Sequence, residues 1–339
     1  MTHRPTQAGD LGEFPLIERL TARLRAPRPE VVVGIGDDVA AFSVDQEKIL
    51  LATCDVQVAG THFLPERCDP FRLGRKAAAI NVSDIAAVGG RPTHFLSSLI
   101  VPPATHVEFL ERVYEGLAEE ASRWEADVIG GNVSGGEQLV IDLTLLGEVR
   151  LEALLRRSGA VIGDRILVTG TVGAAAAGLQ LQLEPELTVD GSSRIAALDA
   201  FELPTPRVVE ARALVSVGGV SSAIDLSDGL AADLGHVCDA SGVGARLSAS
   251  RIPVAPCARN VARAAGRDAL DWALGGGEDY QLLFTAPPTR LGPLVEAVAD
   301  AGGTSVSDIG EIVAAERGRS LLLDDGSEHA LTGEGWRHF

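Results

Sequence analysis

Eight acids carry the chemistry that this chain of 339 residues has to offer: Asp37 and Asp38 in "GIGDD", Asp55 in "LLATCDV", Asp84 in "NVSDIAA", Asp225 and Asp228 in "AIDLSDG", and Glu278 and Asp279 in "GGGEDY". Most are flanked by apolar or glycine residues, and Asp84 falls inside a helical pattern made largely of Ala, Ile and Val. A single carboxylate of this kind is ordinarily a cap or a turn former. Gathered into one pocket they repel, since two carboxylates about 4 Å apart at an effective dielectric of about 20 oppose each other by about 4 kcal/mol. Something positive must then neutralise them, and the chain has only two lysines, Lys48 and Lys76. Oxygen donors without a His/Cys cluster select Mg²⁺ over zinc or copper, and Mg²⁺ held by scattered carboxylates shares its coordination with substrate phosphates. Nucleotide chemistry is the expectation.

Glycine-rich turns support it. "GGNVSGG" (130–136) either brings backbone N–H groups against a phosphate or is an ordinary hairpin-like loop. "SDG" (227–229) opens a helix, where free N–H groups and the dipole favour an anion; Ser227 or Asp228 as a simple N-cap is the alternative. "GTVGAAAAG" (170–178) reads as a strand-to-helix packing turn. "GIGDDV" lacks the third glycine of a dinucleotide fingerprint, and neither GxxxxGK[ST], an HRD/DFG pair nor GxSxG occurs. His62, beside Phe63, reads on its own as a packed or surface histidine.

The elements that must position these residues follow from pattern. Length predicts two domains, and 46% hydrophobic content excludes disorder. Forty-seven acidic against 29 basic residues, a net charge of -18, exclude nucleic acid and anionic membrane as partners. Four cysteines without a CxxC pair, and no apolar span of about 18 residues, point to a soluble, cytoplasmic protein. "FPLIERLTARL" has helical periodicity, while "KILLATCDVQV" and "LVIDLTLLGEV" read as strands. Between them "PFRLGRKAAAINVSDIAAVGG" reads as a helix with Leu73, Ala77, Ile80, Ala87 and Val88 near one face. "THFLSSLIVP" is a strand, "HVEFLERVYEGLAEEASRW" an amphipathic helix, and "ADVIGG" a strand entering a Gly-rich loop. A boundary around 149–158 divides the chain into 1–149 and 150–339. The second half continues with strands in "DRILVTG", "SSAID", "YQLLFTAP" and "VSDIGEIV". Neither half shows regular βαβ alternation, so two α+β domains are expected rather than a doubly wound sheet.

Taken together, "GIGDDVA", "TCDVQVAGTHF", "KAAAINVSDIAAVGG", "RSGAVIGDRILVTGTVG", "AIDLSDGLAADLGH", "GGGEDYQLLF" and "GWRHF" resemble the bacterial thiamine-monophosphate kinases, in order and over nearly the whole chain. That resemblance implies aminoimidazole ribonucleotide synthetase-like architecture, an N-terminal domain that pairs in a homodimer, and ATP-dependent phosphorylation of thiamine monophosphate to thiamine diphosphate with several Mg²⁺ ions. It implies metal ligation by Asp38, by the stretch Thr53, Cys54 and Asp55, by Asp84 as a bridging carboxylate, and by Asp225 and Asp228. Ser227, Gly131, Arg157 and Tyr114 match ATP-binding positions, and His62, Glu278 and Trp336 match residues that hold thiamine phosphate. Asp37 is left to orient the turn or a metal-bound water.

Two positions depart from the family pattern. Many relatives read Gly-Gly-Asp where this chain has Gly130-Gly131-Asn132, so Asn132 is expected to offer metal and nucleotide a neutral oxygen. Cys54 stands where a Thr is common, a harmless change if the ligand is a backbone carbonyl. The resemblance further implies direct in-line transfer without a protein nucleophile, with Trp336 stacking on the cationic rings and Glu278 adding charge complementarity. Selenophosphate synthesis, aminoimidazole ring closure and hydrogenase maturation are the rival activities on such an architecture. The first is disfavoured by the lack of an N-terminal Cys-plus-Lys segment, and the "GWRHF" ending disfavours all three. A non-catalytic ATP-binding regulator, motivated by Asn132, is the rival of another class.

Overall fold

The computed structural model describes Pro15, Ile17, Thr21, Ala22 and residues 29–44 and 47–331. Most of "FPLIERLTARL" and all of "GWRHF", with Trp336, lie outside the described residues. The first sheet holds β1 (Val31–Val33), β2 (Ala40–Ser43), β3 (Lys48–Val58), β4 (Arg91–Val101), β5 (Asp127–Gly135) and β6 (Val140–Arg150), in the order β1-β2-β3-β6-β4-β5. Helices α1 (Pro70–Ala87) and α2 (Val107–Arg123) belong to it. The second sheet, β13-β12-β9-β11-β7-β10-β8, is built from β7 (Arg165–Thr169), β8 (Ser222–Asp225), β9 (Gly244–Ser248), β10 (Leu282–Ala286), β11 (Val306–Val313), β12 (Arg319–Leu322) and β13 (Glu328–Ala330). Its helices are α3 (Ala174–Leu183), α4 (Gly191–Glu202), α5 (Val208–Val217), α6 (Leu230–Ser241), α7 (Pro256–Ala265), α8 (Ala269–Gly275) and α9 (Leu291–Gly302). The pairing is antiparallel except for β4 with β5 and β9 with β12, as an α+β fold requires.

Helix α1 is the hub. Asp69 caps it, accepting the N–H groups of Phe71 (2.8 Å) and Arg72 (3.2 Å), with Pro70 at the first helical position. Its Ala-rich surface is buried on nearly every side, far beyond the single apolar face the periodicity predicts. At Gly74 a Cβ would lie 1.8 Å from Val113 O, and at Gly116 one would lie 1.9 Å from Phe71 O, so α1 and α2 cross in backbone contact. The same core that holds Ala77, Val82 and Ile85 of α1 continues into Leu282 and Phe284 of β10, while Leu283 faces a second core beneath α6 and α7. Period-two alternation thus buries both faces of the second sheet and locks its first face onto α1.

One element differs from the sequence expectation. "GGNVSGG" is not a hairpin-like loop: β5 runs through it, paired in parallel with β4. Glycine is required at 131 because a Cβ there would lie 1.8 Å from Ser97 O. Gly131→Ala must push β5 off β4 and is expected to lower unfolding stability by about 1–3 kcal/mol, read as a lower urea midpoint at unchanged slope.

Candidate active site

Three of the acids, Asp38, Asp84 and Asp225, meet where α1 touches the end of β8. Asp37 holds the turn after β1, its Oδ1 accepting the Asp38 N–H (2.9 Å) and its Oδ2 the Arg157 N–H (3.4 Å). Asp38 points inward, 2% exposed. Its Oδ1 accepts the Nε–H (3.1 Å) and an Nη2–H of Arg157, while its Oδ2 is buried without a hydrogen-bond partner. Asp38, Asp84 and Asp225 each bring an oxygen within 4.8 Å of the others. Thr53 donates its hydroxyl to Asp84 (2.5 Å) and Ser83 donates to Asp225 (2.5 Å), so neighbouring hydroxyls aim one oxygen of each carboxylate. Burial pushes Asp38 up to about 7 and Asp55 and Asp225 up to about 6, and it holds Asp84 well above the ordinary carboxylate value. The acids' mutual charges push the same way, and Arg157 opposes them at Asp38 and Asp225. All-oxygen donors with a buried, unpartnered carboxylate oxygen suit a hard divalent cation such as Mg²⁺.

A second group stands beside this one. Asp228, Asp233 and His236 bring ligand atoms within 4.8 Å of one another. Neither Ser227 nor Asp228 caps α6; the cap is Gly229, and the Asp233 carboxylate accepts the N–H groups of Asp228 (3.2 Å) and Gly229 (3.1 Å). The anion expected at this helix start is therefore met in part by the chain's own side chain. Asp279 likewise proves structural, accepting N–H groups of Gly173 (2.6 Å) and Ala175 (3.4 Å) where α3 begins.

Strand register sorts the remaining residues. Asp55, Leu143, Ser97 and Gly131 form one row across β3, β6, β4 and β5, three strand spacings or about 14 Å long. Tyr114 of α2 donates to Ser97 Oγ (3.1 Å), so Tyr114 and Gly131 mark the far end of a row that starts at the acids. The next row, Val56, Asp142, Ser98 and Asn132, faces the other side of the sheet, as does Cys54. The Asn132 amide and the Cys54 thiol are thus not brought into the acid array, and Cys54 keeps only its backbone oxygen for a ligand role.

Beside α1 a pocket is lined by His62, Phe63, Leu73, Lys76 and Phe201. His62 Nδ1 accepts the Val58 N–H (3.0 Å). The Lys76 ammonium sits 2.8 Å from Glu278 Oε1 and 3.8 Å from the Phe201 ring centroid. Glu278 and Tyr280 adopt φ values of 57° and 46°, which cost of order 1–3 kcal/mol each and persist only where surrounding contacts hold the loop. That loop is pinned by Glu278 N–H to Ser227 O (2.7 Å) and Tyr280 N–H to Leu226 O (2.8 Å).

Comparison with known proteins gives this geometry a family. Residues 36–149 match the N-terminal domain of AIR synthase related proteins, and residues 161–322 match their C-terminal domain. The thiamine-monophosphate kinase of Escherichia coli (strain K12) is 37% identical over 97% of this chain and 98% of its own length. That of Aquifex aeolicus (strain VF5) is 34% identical over 97% and 99%. The chain belongs to the thiamine-monophosphate kinase family. A solved structure described as AaThiL complexed with AMPPCP and TMP superimposes with a TM-score of 0.86, 32% identity and 99% coverage of both chains. Hydrogenase maturation protein HypE in complex with ATP shares the fold alone, at a TM-score of 0.70, 19% identity and 93% and 94% coverage.

The family motifs name Arg157 only as a nucleotide contact and assign no role to Asp233, which stands with Asp228 and His236, or to Asp142, which acts on Asp55 through its charge from the opposite face of the sheet. Arg157, and neither lysine, pairs with Asp38; Lys48 is paired with Glu148 (2.6 Å). Asp233 lies in the first turn of α6 and turns its carboxylate back to the N–H groups of Asp228 and Gly229. Asp142, whose charge helps raise Asp55, reads in sequence as the polar half of a strand alternation. No local signal marks Asp233 or Asp142, because only helix folding and strand register bring them near the acids.

Proposed function

We propose that the chain transfers the terminal phosphate of ATP to thiamine monophosphate, forming thiamine diphosphate, at the site where α1 meets β3 and β8. The observation that carries this reading is the oxygen-only array of Asp38, Asp84 and Asp225, with Asp38 Oδ2 buried and unpartnered, in a chain of this family. Asp38, Asp55, Asp84, Asp225 and Asp228 would hold Mg²⁺, with Thr53 and Ser83 orienting carboxylates and Cys54 offering its carbonyl. Mg²⁺, when bound, supplies the charge neutralisation that lets two anionic phosphates approach. The protein's own work is positional. Asp37 fixes the Asp38 turn, Arg157 balances the array, and Tyr114 and Gly131, about 14 Å along the row, are placed to meet the rest of the nucleotide. His62 and Glu278 bound the acceptor side. No side chain is needed as nucleophile, because the acceptor phosphate oxygen attacks in line.

The N-terminal domain (1–149) would carry ATP, metal and a homodimer interface, followed by a C-terminal domain (150–339). Exposed Val56, Leu96 and Ile100 on the outer face of the first sheet, and Val133 on edge strand β5, support the dimer. Free cysteines, and no described helix long and apolar enough to cross a membrane, support a cytoplasmic location. Purified protein with ATP, Mg²⁺ and thiamine monophosphate should yield thiamine diphosphate. ATP binding by calorimetry without any product would replace the enzyme by a binding protein.

A further inference from the structure

Lys76 is a buried cation outside the acid array. Its side chain is 5% exposed, on the helix that carries Asp84, and a charge so placed is tolerated only with a partner. That partner is Glu278, 2.8 Å away, and the face of Phe201 covers the ammonium at 3.8 Å. The contact with Glu278 is an ion pair without hydrogen-bond geometry, and Nζ has no hydrogen-bond partner. Glu278, 28% exposed, is the half of the pair that solvent reaches, and its backbone is pinned to Ser227. Lys76 lines the pocket with His62, Phe63 and Leu73. Tyr280, two residues past Glu278, is within the electrostatic reach of Glu278 and also of Asp55, Asp84 and Asp225. Glu278 and Tyr280 thus belong to one loop that touches Lys76 at one residue and feels the charges of the acid array at the other.

We propose that Lys76 is a positioning residue for the acceptor, holding the Glu278 carboxylate in one orientation for the acceptor's cationic ring. The inference rests on the acceptor reading above. A ring with a fixed positive charge, entering between apolar walls such as Phe63 and Leu73, needs an anion there. A glutamate on a surface loop would otherwise spread over several rotamers. A compact ammonium wedged between an aromatic face and a carboxylate fixes one of them, which the wider guanidinium of arginine cannot do in the same space.

The test is a double-mutant cycle with Lys76→Met, Glu278→Gln and both together, reading the Kd of thiamine monophosphate by calorimetry and the KM values for acceptor and ATP. Each single change should weaken acceptor binding about tenfold, as loss of a charge-assisted contact does, and leave the ATP KM within about twofold. The double variant should be no weaker than Glu278→Gln alone, because Lys76 acts only through that carboxylate. Thiamine without its phosphate, used as a competitive inhibitor, should lose affinity in parallel. Multiplying effects, about a hundredfold in the double variant, would overturn the proposal, as would a Lys76→Met protein that loses the phosphate ester and still binds thiamine normally. Lys76→Arg keeps the charge without the compact head and carries the test should Lys76→Met not fold: acceptor affinity should fall about tenfold, and affinity within about twofold of wild type would overturn the proposal. Wild-type protein that neither binds nor phosphorylates thiamine monophosphate would remove the acceptor reading and the inference with it.

Discussion

Asp84→Asn is expected to lower turnover by about 10³-fold or more while making the metal-free protein more stable. Asp84 is half-buried and within 4.8 Å of Asp38 and Asp225, with one oxygen fixed by Thr53. Asparagine keeps the shape and an oxygen to accept that hydroxyl, so only the charge is lost. A factor of 10³ in rate corresponds to about 4 kcal/mol, a reasonable loss when a carboxylate at the centre of a metal array is neutralised. In the metal-free state the same carboxylate is repelled by Asp55, Asp225 and Asp38 and penalised by burial, so its removal relieves strain. The two effects carry opposite signs, which a merely structural residue would not produce. Steady-state kinetics and calorimetric melting without divalent cations read them separately. A rate within tenfold of wild type, or a lower melting temperature, would take Asp84 out of the proposed metal site.

The sequence was most legible where one residue type has one reason to be present. The alanine run of α1 and the double glycine after it specify that helix and its end, and the structure places them there, whereas its cap, Asp69, is known only from the structure. The acids were legible as candidates because charge inside apolar surroundings is costly; that Asp38, Asp84 and Asp225 share a pocket was not. Their convergence depends on α1 lying against both sheets, a contact made by alternate residues such as Leu282 and Phe284 that look in sequence like any buried strand. Glycine patterns misled at 130–136, since "GGNVSGG" reads as a loop until Ser97 O is found where a Cβ would stand. Asn132 and Cys54 show the same limit: motif position names them, and strand alternation turns their side chains to the other face. Arg157 has the converse lesson. Its motif suggests a nucleotide contact, and only the fold reveals that its guanidinium already holds Asp38.

Raising the pH from about 5 to about 7 is expected to destabilise the metal-free protein, and Mg²⁺ to reverse most of that loss. Unfolded aspartates titrate near 3.9, whereas burial, and then mutual repulsion, hold Asp55 and Asp225 at about 6 and Asp38 at about 7 in the folded chain. In this window the folded state binds more protons than the unfolded one, so stability falls with rising pH. The contribution is whole below the unfolded value and is lost as pH passes through 6 and 7. Carboxylates held low, such as Glu148 between Lys48 and Arg91, act oppositely, but their contribution is complete by about pH 5. His236, pushed down first by burial, also opposes the trend, as one group against several. A cation that binds only the ionised array removes the penalty, and at a hundredfold excess over its Kd it adds about 2.7 kcal/mol. Urea midpoints at pH 5 and 7, with and without Mg²⁺, give the comparison, and Asp84→Asn should flatten the metal-free slope. Stability that holds steady or rises across this interval without metal, or that ignores Mg²⁺ at pH 7, would mean that the acids are neutralised by the protein itself and that no divalent cation belongs among them.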